Sequence, residues 1–444
     1  MKIKILFATL LTLALFTAAH AQTPDKTKLD QFFDRLAEKD KAMGSLVVAR
    51  DGNVFYNRSI GYSQINGTEK KPLTAATRYR VGSITKMFTA AMIFQLVEER
   101  KLKLTDTLDK FFPQIPNAKK ITIAHILAHR SGIRDVTEDR DFRTWGMTPK
   151  TKDELLAFIA KGTPDFEPDA KYSYSNSGYI LLGIIVEKVG GKPYQEALKK
   201  RITSKIGLKD THMGTGNIDV NKNESFSYRY VRDWEQQPET HISILFGSGA
   251  IISTPTDLTK FIQALFDGKI VSKESLASMK TIRDGYGLGM DTFTYNGKIF
   301  YGHTGGIDNF GSWLAYLPEE KLALAYAANA KVYPVAKIVS GVFDIYYNKP
   351  FTIPAFDTIE VSPEVLDKYV GVYSIPGVPV KSTVTRDDTT LFIQMTGQSA
   401  IPLEAMAQDK FGIESAGIVF EFNHAKNQMI QKRSGRERVF TKEN

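Results

Sequence analysis

Apolar side chains recur at Phe88, Met92, Ile93, Leu96 and Val97, the three- and four-residue spacing of one helix face, and neither Pro nor Gly interrupts Met87 to Arg100. A helix is predicted there. Ile180 to Glu187 gives a second apolar helical run. Strand-like stretches stand at Ser45 to Ala49, Val54 to Ser59, Lys298 to Tyr301, Ser312 to Leu317 and Leu322 to Ala328. The expectation is a mixed α/β architecture in which these strands form one antiparallel sheet covered by helices. The pattern changes after Tyr347, where Pro350 and Pro354 resist helix and central strand and mark a linker. Beyond a short helical stretch at 363 to 369, the runs Tyr369 to Tyr373, Ser382 to Thr385, Leu391 to Met395 and Ile418 to Phe422 alternate with turn residues. That spacing predicts a small C-terminal antiparallel β-barrel.

The N-terminus has a pattern of its own. Lys2 and Lys4 precede an apolar core, Ile5 to Phe16, and Ala19-His20-Ala21 supplies small residues for cleavage before Gln22. The expectation is a signal peptide over 1–21, a main domain over 22–348, a linker over 349–362 and a barrel over 363–444. The apolar core is shorter than the roughly 20 residues a membrane helix needs, and no second span is expected. Export to the periplasm or beyond follows as the expected destination. With no cysteine in the chain, neither a disulfide nor a lipoprotein anchor is available.

Charge adds little beyond this. Losing Lys2 and Lys4 with the leader lowers the formal net charge from +9 to +7. The excess lies before the barrel, since residues 361–444 carry ten basic and ten acidic side chains. A dispersed solubilising charge accounts for it, with attraction to anionic envelope polymers as the alternative. No Lys/Arg run or aromatic-basic interleaving points to nucleic acid.

Candidate chemistry begins at Ser83 and Lys86, three residues apart where the first helix starts. The spacing puts both on one face. A serine hydroxyl needs a base to take its proton, and burial at the positive end of a helix favours a neutral, basic lysine. Tyr174 and Asn176 precede the second helical run, where a phenol can relay protons and an amide can orient the lysine and bind a carbonyl. His303-Thr304-Gly305-Gly306 follows a strand, and its glycines allow a substrate backbone to approach closely while leaving amides free for an oxyanion. Competing motifs carry less. His125 and His129 are four apart, but no Glu stands between them as a zincin requires, so no metal is expected. Tyr346-Tyr347-Asn348 repeats Tyr-x-Asn beyond His303, out of order, and reads as a packed aromatic turn. There is no Gly-x-Ser-x-Gly elbow, Walker loop or dinucleotide fingerprint.

Ser-x-x-Lys, Tyr-x-Asn and His-Thr-Gly, in that order, resemble the motifs of the serine β-lactamase and penicillin-binding superfamily. Leu127-Ala128-His129-Arg130-Ser131-Gly132 and the segment from Gly247 to Leu258 are similar to the branch with class C β-lactamases, D-alanyl-D-alanine carboxypeptidases, D-aminopeptidases and esterases. The matches run from about Gly44 to about Asn329. The resemblance implies a β-lactamase/transpeptidase-like fold whose inserted helical region, roughly 104–240, walls the cleft. It further implies Ser83 as nucleophile, Lys86 as general base, Tyr174 as proton relay, Asn176, His303 and Thr304 as substrate-binding groups, and the backbone N–H groups of Ser83 and Gly306 as oxyanion hole. No cofactor is called for.

Two departures shape the expectation. His303 stands where the class C enzymes have Lys, and Gly306 where a hydroxyl often helps hold a carboxylate. The first shifts the expectation from β-lactamase toward peptidase, aminopeptidase or esterase, and the second weighs against strict carboxypeptidase activity and leaves room for a wider pocket accepting esters or other amides. The expected substrates are small molecules or peptides, including peptidoglycan fragments, processed through an acyl-enzyme. D-alanyl-D-alanine carboxypeptidase is the most specific form of this reading. A β-lactamase or esterase is the alternative within the family, and a non-catalytic peptidoglycan or β-lactam receptor the alternative outside it. The Tyr369-x-Gly371-x-Tyr373 opening of the barrel is similar to lipocalin-like domains.

Overall fold

The computed structural model describes residues 24–443; the leader read at 1–21 lies outside them. Six strands form one antiparallel sheet: β1 (Ala42–Arg50), β2 (Asn53–Ile60), β3 (Asp291–Tyr295), β4 (Lys298–Ile307), β5 (Phe310–Leu317) and β6 (Leu322–Lys331). Their spatial order is β3-β4-β5-β6-β1-β2, so the first and last strands of the main fold meet at the centre, with Ser45 opposite Ala327. β1 and β6 are buried along nearly their whole length. They are apolar on both faces because helices cover both.

On one face, α1 (Lys26–Glu38) brings Leu29, Phe32, Phe33 and Leu36 against Leu46, Val48, Leu324 and Tyr326. The Asp25 carboxylate caps α1, accepting from Lys28 N at 2.9 Å. On the other face lie α2 (Thr85–Glu98), α3 (Asn176–Gly190) and α4 (Pro255–Phe266). The sequence predicts α2 from one apolar stripe, yet the helix is buried on every side from Thr85 to Leu96. It is the central post of the domain. Phe88 stacks on Phe261 of α4 with ring centroids 3.7 Å apart, an arrangement worth about 0.5–1.5 kcal/mol beyond its buried area. Gly183 of α3 makes room for Gly247, since a Cβ there would stand 2.9 Å from the Gly247 Cα. Close packing at that point presses residues 246–249 against α2.

α5 (Val335–Tyr346) completes the first face, and residues 349–362 follow without regular structure. Phe351, Ile353 and Phe356 of that segment pack onto the α1/α5 side. Eight strands then close into a barrel: β7 (Gly371–Ser374), β8 (Ser382–Asp387), β9 (Thr390–Met395), β10 (Ile401–Ala407), β11 (Lys410–Ile413), β12 (Ile418–Asn423), β13 (Gln428–Arg433) and β14 (Arg436–Lys442). The barrel has its own core of Tyr369, Val384, Leu391, Phe411, Phe420, Met429 and Phe440. Lys41, almost fully buried, reaches across to Glu404 and Glu414, and Arg232 to Asp387, tying the barrel to the main fold.

Several parts of this architecture are not in the strand pattern read from sequence, β10 and β11 among them. β3 is half-buried along its length and lacks a contrast between its faces. The hairpin at Tyr228–Tyr230 and Trp234–Gln236 is too short for a period to register. Strands β13 and β14 carry charged residues on both faces, for a reason taken up below. Among the described residues no helix is long and apolar enough to cross a membrane.

Candidate active site

Ser83 sits on a single 3-10 turn, Gly82–Ile84, that runs directly into α2. Gly82 is in the left-handed region at φ 52°, and a Cβ on it would lie 2.8 Å from Gly306 N. A Cβ on Gly305 would lie 2.0 Å from the Val81 carbonyl oxygen. The glycines therefore let β4 approach the serine turn at backbone distance. Ser312 of β5 locks the approach by donating from Oγ to Val81 O at 2.8 Å. β3 pairs with β4 only through Lys298 to Gly302, so from His303 onward β4 has β5 on one side and, among the described residues, no strand paired to its other edge. That edge carries Gly306, which is exposed beside the partly exposed Ser83.

Lys86 lies directly below Ser83 and is fully buried. Its Nζ stands 3.0 Å from Ser83 Oγ, 2.7 Å from Asn176 Oδ1 and 2.9 Å from the Ser248 carbonyl oxygen. Thr85 and Thr89 hold the carbonyl segment in place: Thr85 Oγ1 accepts from Ile251 N, and Thr89 Oγ1 donates to Gly247 O. Burial pulls the Lys86 amine down to about 7 from its ordinary value, against an opposing pull from the Asp135 carboxylate. Asn176 is oriented by Asp135, whose Oδ2 accepts from Asn176 Nδ2 at 2.8 Å and from its backbone N at 3.1 Å. The amide nitrogen must face the carboxylate, so the amide oxygen faces Lys86.

These partners decide which way a neutral amine points. The oxygens of Asn176 and Ser248 can only accept, and they take both N–H groups of a neutral Lys86. The remaining lone pair faces Ser83, the one partner with a proton to give. Tyr174 lies over the same centre, with Lys86 Nζ 4.7 Å from its ring centroid. Burial pushes its phenol far up, and the bond to Ser83 offsets only part of that rise. Tyr174 is therefore a neutral acid at the pH where Lys86 becomes a neutral base.

His303 has a different setting from the one its motif suggests. It is only 3 % exposed. Nδ1 lies 2.5 Å from Thr304 O, a group that only accepts, so the proton is on Nδ1. Nε2 then accepts from the Tyr286 hydroxyl at 2.9 Å. Burial, with the Lys86 charge second, lowers the imidazole to about 3, so it is neutral with both nitrogens engaged. His129 is buried among Tyr174, Tyr179 and Tyr286, and its Nδ1 accepts from Ser175 N at 3.0 Å, which fixes the start of α3. Its pKa too falls well below the ordinary value through burial.

The structure thus brings Ser83, Lys86, Tyr174 and Asn176 together, with Gly306 beside Ser83, and keeps His303 behind Tyr286. Thr304 is half-buried next to them on β4. His125 stands apart, closing a capping box in which its Nδ1 accepts from Thr122 N. Tyr347 also stands apart, its ring stacked on Tyr295 with centroids 5.8 Å away. Sequence reasoning missed Asp135, the Ser248 carbonyl and Tyr286. Asp135 had a local sign, because Asp-x-Thr is an Asx-turn pattern and its Oδ1 accepts from Thr137 N. Backbone carbonyls and isolated tyrosines leave none.

A family model described as Beta-lactamase matches residues 29–339. Penicillin-binding protein 4* of Bacillus subtilis (strain 168) is 26% identical over 431 residues, covering 89% of this chain and 93% of that protein. The D-alanyl-D-alanine-carboxypeptidase/endopeptidase AmpH of Escherichia coli (strain K12) is 24% identical, covering 80% of this chain and all of its own length. The crystal structure of D-amino acid amidase from Ochrobactrum anthropi SV3, complexed with D-phenylalanine, superposes with a TM-score of 0.63 at 26% identity, over 72% of this chain and 99% of that one.

Proposed function

The chain belongs to the beta-lactamase family and is a serine hydrolase, and from that premise we propose that it works through an acyl-enzyme on Ser83 with peptides, amides or esters of D-amino acids as substrates. The observation that carries the proposal is the Lys86 amine, buried, lowered to about 7 and 3.0 Å from Ser83 Oγ with its two other partners able only to accept.

Ser83 Oγ attacks the substrate carbonyl carbon as its proton passes to the Lys86 lone pair. The carbonyl oxygen takes the charge and is held by the backbone N–H groups of Ser83 and Gly306, a pair of donors of which each typically contributes about a hundredfold or more. Collapse breaks the bond to the leaving nitrogen or oxygen, which takes a proton delivered through the Tyr174 hydroxyl. Water then repeats the sequence on the ester, giving its proton to the same base, and the acid departs from Ser83. Asn176 binds the acyl side and Thr304 the leaving side, while His303 shapes the wall through Tyr286. No step calls for a cofactor or metal.

Within this class, the D-alanyl-D-alanine carboxypeptidase reading and the amide reading part at the leaving group. A free carboxylate there would need a cation, and His303 is neutral with both nitrogens occupied. This favours uncharged amides and esters over a dipeptide ending in a carboxylate. Steady-state comparison of D-alanine amide with D-alanyl-D-alanine tests the point: the amide is expected to have the higher kcat/KM, and the reverse order would return the carboxypeptidase to first place. Loss of turnover on every substrate in Ser83→Ala tests the nucleophile itself.

The division into a hydrolase domain over 22–348, a linker and a barrel over 363–444 belongs to this proposal, supported by the separate cores on either side of 349–362. Export to the periplasm or the medium is proposed from the basic, apolar and small-residue order of residues 1–21.

A further inference from the structure

The barrel is filled at one end and hollow at the other. Its packed end is the core around Phe411, Met429 and Phe440; a cavity of about 550 Å³ opens among the strands at the other end, with Phe420 at the boundary between the two. That volume lies within the roughly 300–1,000 Å³ typical of pockets for small organic ligands. Ile393, Ile401, Ile413 and Ile418 give it apolar walls. The last hairpin, β13 and β14, contributes Arg433, Arg436 and Arg438 to the same cavity.

These arginines are on the inner face. Met429 and Phe440 are paired in register and both belong to the barrel core. Side chains alternate along a strand, so Arg433 shares the face of Met429, and Arg436 and Arg438 share that of Phe440. Arg433 stands directly opposite Arg436 across the hairpin, and its other neighbour in register is Ile418. Two like charges opposite each other destabilise a strand pair. The outer face of the same hairpin is arranged otherwise. There Lys432 stands opposite Glu437 at 3.5 Å and also pairs with Glu421 on β12 at 2.7 Å. Charge is matched outside and unmatched inside, although the barrel segment as a whole carries as many acidic as basic side chains. Among the described residues, no acidic side chain lines the cavity.

Inward charges can protect an open sheet against pairing at its edge, but a closed barrel has no edge to protect. We propose that the hollow end of the barrel binds an anionic amphiphile, with a carboxylate or phosphate head group held by Arg433, Arg436 and Arg438 and an apolar chain lying against the isoleucine wall. Guanidinium groups suit both heads because each offers paired donors to two oxygens. Gln398, Ser399, Ile401 and Ile413 line both this cavity and the cleft of about 660 Å³ between barrel and sheet, so the cup opens beside that cleft. The inference is independent of the chemistry proposed for Ser83.

Calorimetric titration of the full chain with decanoate, decyl phosphate and 1-decanol tests it. Saturable binding of one decanoate or decyl phosphate per chain, weakened at least about tenfold by raising salt or by the combined Arg433→Gln, Arg436→Gln and Arg438→Gln substitutions, is the expected result. Whichever of the two heads binds more tightly identifies the source as carboxylate or phosphate lipid. Because all three arginines are exposed, the variants should fold. Arg438→Lys, which keeps the charge, should retain most of the affinity, and Lys432→Gln on the outer face should retain all of it. Equal binding of 1-decanol, undiminished binding by the triple variant, or no saturable binding of either anion would overturn the proposal.

Discussion

The main fold buries one amine completely while the barrel displays three exposed guanidinium groups around a cavity, and the two settings do opposite things to a basic side chain. Lys86, in the first turn of α2, is buried until its amine approaches neutrality, with every partner fixed. Arg433, Arg436 and Arg438 stand exposed around a partly open cup. A lysine can be tuned into a base by burial; an arginine cannot. The residue type and its depth together separate a site built to move a proton from one built to hold an anion.

The comparison can be broken most sharply at Ser83. Ser83→Ala is expected to lower kcat/KM by at least about 10⁴-fold on any accepted substrate, measured with an ester or amide whose product is chromogenic. Lys86→Arg keeps the charge and removes the tunable base, and should cost about 10²–10⁴-fold in kcat. Wild-type-like turnover in that variant would mean that Lys86 serves only as a fixed cation. Asp135→Ala releases Asn176, and through it one of the acceptors that direct the Lys86 lone pair. A loss of roughly ten- to a hundredfold, mostly in kcat, is expected, with the acid limb of the pH profile moved downward because the carboxylate no longer favours the ammonium. The smallest effect belongs to Tyr286→Phe. It removes the hydroxyl that donates to His303 Nε2 without touching Ser83, and should change kcat/KM by less than about tenfold while leaving the D-alanyl-D-alanine to D-alanine amide ratio unchanged, because burial still keeps the imidazole neutral.

How much of this was legible follows the same division. Ser83, Lys86, Tyr174 and Asn176 announce themselves because each lies within a few residues of the start of an uninterrupted apolar helix, and the helix start fixes their direction. His303 is found by its motif but not its setting, since its neutrality comes from burial and the nearby Lys86, and its Nε2 partner Tyr286 is seventeen residues away, none of which a local pattern encodes. Asp135 and Ser248 reach the site only through tertiary packing. The sheet was read from its apolar central strands, whereas the half-buried β3 escaped. In the barrel, β9 and β12 alternate apolar with polar residues and were read. β13 and β14 were missed because three inward positions that a filled barrel would give to apolar residues hold arginine. In that hairpin the period fails at the candidate binding surface.

The central claim is that Ser83 is activated by a lysine made neutral by burial. Its most direct test is the rate at which an acyl adduct forms on the chain at successive pH values between about 5 and about 10. The adduct would be followed by intact-protein mass after rapid quenching and located by peptide mapping. The account predicts an adduct on Ser83 whose formation rate falls about tenfold per unit below pH 7, is half-maximal near 7 and levels off above it, as expected for a base that must lose its proton first. A rate still climbing above pH 9, as for an ordinary lysine, or an adduct on any other residue, would contradict it.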